Sequence, residues 1–155
     1  MSGITLHPVD KVEVLTVIDN TSDMLLGSTD RVRRPALVAG SLAKEPLVAE
    51  HGYAALVTIT AGDVTKRVLV DTGLSSDGLV KNLATLEVDL NSIQAVVLSH
   101  GHTDHTKGLP KLIDLLPNDN IQLYTHPGAF LNRKLVLPDG NEVMLPPPDR
   151  SALLN

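Results

Sequence analysis

Ser99-His100-Gly101-His102-Thr103-Asp104-His105 packs three of the chain's six histidines and a carboxylate into a single short run. Around it the pattern changes. The apolar segment Ile93 to Leu98 leads in, and the amphipathic segment Leu109 to Leu116 leads out. A strand, a ligand-bearing loop and a helix are the expected order.

The spacing has chemical content. His100 and His102 are two residues apart, so in an extended loop their imidazoles point the same way. Gly101 between them is expected to let the backbone turn tightly. Asp104 and His105 come as the chain bends into the helix, aimed at a neighbouring point. Neutral imidazoles with a carboxylate suit zinc and similar divalent ions. Two adjacent half-sites on one loop suggest a two-metal centre.

Composition sets the frame. A chain of 155 residues with 43% hydrophobic residues is long and apolar enough for one globular domain. Aromatics are only 2%, so Leu, Val, Ile and Ala must build the core. Net charge is −5, which argues against a dedicated nucleic-acid surface. There is no cysteine, so disulfides and thiolate ligands are excluded. Met1 to Ile18 lacks a signal-peptide pattern, and no apolar run is long enough to span a bilayer. A cytoplasmic protein with a small-molecule substrate and no membrane partner is the expectation.

The rest of the chain reads in order. Val12 to Ile18 is a strand ending at Asp19-Asn20, which is either a turn or part of a pocket. Residues 21–50 show little periodicity. Arg31, Arg33 and Arg34 there read as a solvated loop before they read as a phosphate site. His51 is a candidate pocket residue. Ala54 to Thr60 and Arg67 to Val70 form a hairpin around Ala61-Gly62-Asp63. Asp71-Thr72-Gly73 ends its second strand, and Asp71 can orient a ligating histidine. Ser75 and Ser76 offer a helix cap, Asp77 complements the dipole, and Leu79, Val80, Leu83 and Leu86 give one apolar face up to about Glu87. Ile121 to Thr125 is a strand with His126-Pro127 at its corner. Lys134 to Leu137 and Glu142 to Leu145 flank Pro138-Asp139-Gly140-Asn141 as a second hairpin.

The run His100 to His105 resembles the H-x-H-x-D-H motif of the metallo-β-lactamase superfamily. Val68-Leu69-Val70-Asp71-Thr72-Gly73 looks like the family's strand ending in D-T-G. Val17-Ile18-Asp19-Asn20, Ala49-Glu50-His51-Gly52 and Leu98-Ser99-His100-Gly101-His102 are similar to the branch of 7,8-dihydropterin-6-yl-methyl-4-(β-D-ribofuranosyl)aminobenzene 5′-phosphate synthases. The resemblance runs from about Val12 to about Pro148.

It implies an α/β (α+β) fold: a metallo-β-lactamase-like αβ/βα sandwich, of which this chain supplies about the first half. That half is a mixed sheet with helices on one face, in a single truncated domain over 1–155. It implies a metal-dependent hydrolase acting through a metal-bound hydroxide, with His100, His102, Asp104 and His105 as metal ligands. Asp104 is also the catalytic candidate, Asp71 stands behind the ligands, and Asp19, Asn20 and His51 are candidate pocket residues. Two divalent ions are implied, zinc first, with iron or manganese as alternatives. The family's second half normally supplies further ligands, and no histidine follows His126. The rival expectations are a non-catalytic fragment or subunit, completed by a second copy or a partner chain, and an iron-dependent or pterin-related enzyme on the same motif.

Overall fold

The computed structural model describes residues 5–23, 25–34, 45–116 and 121–150. Five strands form one mixed sheet in the order β1-β2-β3-β4-β5. They are β1 (Lys11–Ile18), β2 (Ala54–Ala61), β3 (Val64–Val70), β4 (Ala95–Leu98) and β5 (Gln122–Thr125). β1, β2 and β3 pair antiparallel, whereas β3, β4 and β5 pair parallel. The two parallel steps carry the helices α1 (Ser76–Thr85), α2 (Thr103–Thr106) and α3 (Leu109–Leu115). A separate hairpin, β6 (Arg133–Val136) with β7 (Glu142–Leu145), follows. The fold class is therefore α+β, a mixed sheet with helices. Among the described residues no helix is long and apolar enough to cross a membrane.

Register explains where the core lies. Leu56 stands opposite Leu69, and Leu69 opposite Val96, so these three side chains share one face. They join Leu79 and Leu83 of α1 and Leu109 and Leu112 of α3 in one buried cluster. The other face carries Val14, Val57 and Val68 in a row, and Thr16, Ala55, Val70, Val97 and Tyr124 in the next. Among the described residues no helix residue joins the buried cluster from that side. Val14 and Tyr124 are 60% and 54% exposed.

Local signals account for the element ends. Gly62, at φ 56°, makes the two-residue β2–β3 turn, because Ala61 still pairs with Val64. Ser75 caps α1, its Oγ accepting the Gly78 N–H at 3.0 Å. The helix stops at Thr85, two residues before the expected end at Glu87, which itself sits at φ 56°. β4 begins at Ala95 and not at Ile93, because the 3-10 turn Leu90–Ser92 takes the Ile93 N–H. The expected stop at Pro117 lies outside the described residues.

One buried polar side chain ties the irregular segment to this frame. Asn82 of α1 is fully buried. Its amide donates to the Val17 and Val48 carbonyls at 2.7 and 2.8 Å, and its Oδ1 accepts the Val48 N–H at 2.8 Å. Such a satisfied polar group holds its partners in a single arrangement, since an unpaired backbone group there would carry a desolvation cost. The Glu50–Tyr53 stretch thereby starts from a fixed point.

Candidate functional site

The site lies at the carboxyl ends of β3 and β4. Three chain segments meet there, 50–53, 71–73 and 99–108, and each residue of Asp71-Thr72-Gly73 has a separate task. Asp71 is 2% exposed. Its Oδ1 accepts the Ser99 N–H at 2.8 Å, and its Oδ2 accepts the Ser99 hydroxyl and the His105 Nδ1–H, each at 2.7 Å. Thr72 grips the His105 carbonyl twice, through its N–H at 2.8 Å and its Oγ1 at 3.0 Å. The Gly73 N–H donates to the Tyr53 carbonyl at 3.0 Å. His105 is thus fixed in both ring and backbone.

The histidines come together. The His100 ring centroid is 4.6 Å from that of His102 and 4.2 Å from that of His105. His105 Nε2, left free by the Nδ1 bond to Asp71, lies 3.4 Å from Asp104 Oδ2. His51 Nε2 is also 3.4 Å from that oxygen, with its own side chain largely exposed. The pKa of His100 is lowered, first by desolvation and then by the neighbouring rings of His105 and His102, with Asp71 and Asp104 pulling the other way. A ring kept neutral keeps its lone pair for a ligand.

Asp19 and Asn20 make local contacts and one link to the Glu50 backbone. Asp19 Oδ1 accepts the Asn20 N–H at 2.7 Å, and the Asp19 carbonyl accepts the Glu50 N–H at 3.1 Å. Among the described residues no hydrogen bond or ion pair joins either to the histidines. His126 follows Thr125, the partner of Leu98 in the sheet, and its Nδ1 caps a 3-10 turn by accepting the Gly128 N–H at 3.0 Å.

Gly101 corrects an expectation. Its φ is not among the positive ones, so a tight turn is not what requires glycine. A Cβ there would sit 1.9 Å from the Ala129 carbonyl oxygen, so the requirement is close backbone approach. Gly52 and Gly108 are similar, each with a backbone oxygen 2.2 Å from a would-be Cβ, that of Asp104 and that of Thr72.

Two further anchors were not singled out from sequence. Glu50 sits at the amino end of α1, where its carboxylate accepts the Leu74 and Ser75 N–H groups at 2.9 Å and the Ser75 hydroxyl at 2.5 Å. Arg133 donates to the carbonyls of Gly101, Ala129 and Leu131 at 3.3, 3.1 and 3.1 Å, and to Gly128 at 2.6 Å. Glu50 had a sequence signal, a carboxylate two residues before a glycine and beside a candidate histidine. Arg133 had none, because its partners are carbonyls that every residue has.

A divalent ion fits these residues in kind. Three imidazoles and one carboxylate are suitable donors, and a ligating histidine commonly has its other nitrogen held by a carboxylate, as Asp71 holds His105. In arrangement they fall short. Among the described residues no group of three or more His, Cys, Asp or Glu side chains is arranged to hold an ion. All six histidines lie within those residues.

Comparison with known proteins gives the class. The chain belongs to the metallo-β-lactamase superfamily, whose model matches residues 49–149, more than half of it. Among its relatives is a 7,8-dihydropterin-6-methyl-4-(beta-D-ribofuranosyl)-aminobenzene-5'-phosphate synthase of Methanocaldococcus jannaschii. The two are 29% identical over 108 residues, which is 69% of this chain and 36% of that protein. An uncharacterized protein of the same organism is 34% identical over 99 residues, 63% of this chain and 36% of its own length. The chain therefore spans little more than a third of these relatives. Among solved structures, the Rm3 metallo-beta-lactamase is 26% identical with a TM-score of 0.41, over 54% of this chain and 29% of that one.

Proposed function

We propose that this chain carries the histidine-loop half of the metal site of a metal-dependent hydrolase. The carrying observation is the convergence of His100, His102 and His105 within 4.2–4.6 Å, with His105 clamped by the buried Asp71. His100, His102, Asp104 and His105 are the residues that would hold divalent ions, zinc being the ion that best suits them. When bound, such an ion supplies Lewis-acid activation of water and of the scissile group. The chain's own residues do the positioning. Asp71 and Thr72 fix His105, Arg133 holds the loop from beneath, and His51 closes one side of Asp104.

The incomplete arrangement of these donors supports a further part of this reading. The remaining ligands come from polypeptide outside the described residues, in a second copy or a partner segment. A synthase among the relatives supports a small-molecule substrate, whose class this half of the site does not specify.

Zinc titration of the purified chain by calorimetry, with solution mass recorded on the same sample, tests the proposal. Zinc should bind, and His102→Ala should weaken it at least tenfold. Occupancy should rise when the chain is assembled with a second copy or partner. Zinc binding unchanged in His102→Ala and His105→Ala would overturn the assignment.

A further inference from the structure

We infer that Ser99 is a positioning residue that relays the Asp71 carboxylate to His100, so that one buried acid sets the tautomer of two histidines. Proton counting carries this. Ser99 Oγ lies 2.7 Å from Asp71 Oδ2 and 2.8 Å from His100 Nδ1. A serine hydroxyl has one proton to give, and a carboxylate can only accept. If the proton pointed at His100, two oxygens would face each other at 2.7 Å with nothing between them. The proton therefore goes to Asp71, and His100 Nδ1 must carry its own proton and donate it to Ser99. Asp71 reaches His105 directly by the same logic, its Oδ2 taking the Nδ1–H at 2.7 Å.

Both rings are thereby set in the Nδ1–H form with Nε2 unprotonated, that of His105 lying 3.4 Å from Asp104 Oδ2. Neutral imidazole in water favours the opposite form, so the network works against the intrinsic preference. His126 supplies an internal contrast. Its Nδ1 accepts the Gly128 N–H, which requires the Nε2–H tautomer. Within one chain, hydrogen bonding assigns opposite tautomers to the loop histidines and to the corner histidine. The consequence for a ligand is that His100 and His105 offer the same ring nitrogen, and His100 does so through a hydroxyl on the neighbouring residue.

This deepens the proposed function and rests on it only for the meaning of the unprotonated Nε2. The tautomers themselves can be read without metal. Nitrogen-15 NMR of the full chain, freed of metal by chelation and held where its imidazoles are neutral, distinguishes protonated from unprotonated ring nitrogens. In the unsubstituted protein His100 and His105 should show protonated Nδ1, and His126 protonated Nε2. Ser99→Ala should turn His100 predominantly to Nε2–H while His105 stays as it was. Ser99→Thr, which keeps the hydroxyl, should restore the original pattern. A His100 already in the Nε2–H form, or one unmoved by Ser99→Ala, overturns the relay. So does loss of the His105 tautomer alongside that of His100, because Ser99 would then be holding Asp71 in place and relaying nothing. Failure of zinc to bind would count against the metal reading and leave this result standing.

Discussion

The two faces of the five-stranded sheet are built from the same residue types and end in different environments. On one face Leu56, Leu69 and Val96 meet the leucines of α1 and α3 and vanish from solvent. On the other, Val14, Val57, Val68 and Val70 stand in equally apolar rows with no helix over them among the described residues. Hydrophobicity thus does not distinguish a core face from an open one in this chain. What distinguishes them is the connection. The parallel steps β3–β4 and β4–β5 need long crossovers, and α1, α2 and α3 lie within those crossovers.

Neighbouring truncations on β3 put the largest number on that difference. Leu69→Ala, on the covered face, should lower stability by about 2–5 kcal/mol. Val68→Ala, one residue away on the open face, should cost less than about 1 kcal/mol, since that side chain is only half-buried. Urea unfolding followed by circular dichroism measures both. Equal losses would break the comparison and mean that the open face is covered in solution.

The next effect sharpens it at the end of the sheet where the loops stack. Gly101→Ala drives a methyl into the Ala129 carbonyl. It should cost about 1–3 kcal/mol by overpacking and loosen the turn that Arg133 holds. Hydrogen exchange should rise at the Ala129 amide, which donates to His126 O, more than at Leu69 in the sheet. A loss spread evenly over both would show that the loop and sheet unfold as one unit.

The smallest effect is electrostatic. The folded pKa of His100 lies below the ordinary 6.5. The unfolded chain therefore binds the proton first as the pH falls. The contribution is fully present above about 6.5 and declines as the pH drops toward the folded value. A proton NMR titration should place the His100 midpoint below 6.5, and unfolding midpoints at pH 7.5 and 5.5 should fall slightly in the acid sample. A midpoint above 6.5 would mean that Asp71 and Asp104 outweigh desolvation at this ring.

Much of this was legible beforehand for a physical reason. Alternation and continuous apolar runs are local patterns, so β1 to β5, both hairpins and the helix after Ser75 could be placed from the residues alone. The histidine run was legible because its donors are consecutive. Asp71 could be paired with that run because it ends a strand beside it. The tasks of Thr72, Arg133 and Asn82 were not legible, since they bind backbone groups far away in the chain, and such partners leave no mark in composition. Gly101 was seen as special for the wrong cause. A glycine can serve a turn or a close contact, and only the position of Ala129 decides between them. Asp19 and Asn20 were expected near the pocket and make only local contacts, together with the Glu50 link.

Asp71 also sits at φ 58°, in the left-handed region where a side chain costs roughly 1 kcal/mol or more and glycine is free of that penalty. It is therefore a residue whose backbone asks for one amino acid and whose surroundings ask for another. Glycine would relieve the backbone but would strand the Ser99 and His105 donors, a larger loss than the strain it removes. The strained backbone is therefore held in place by the very hydrogen bonds that organise the loop, and the two are gained or lost together.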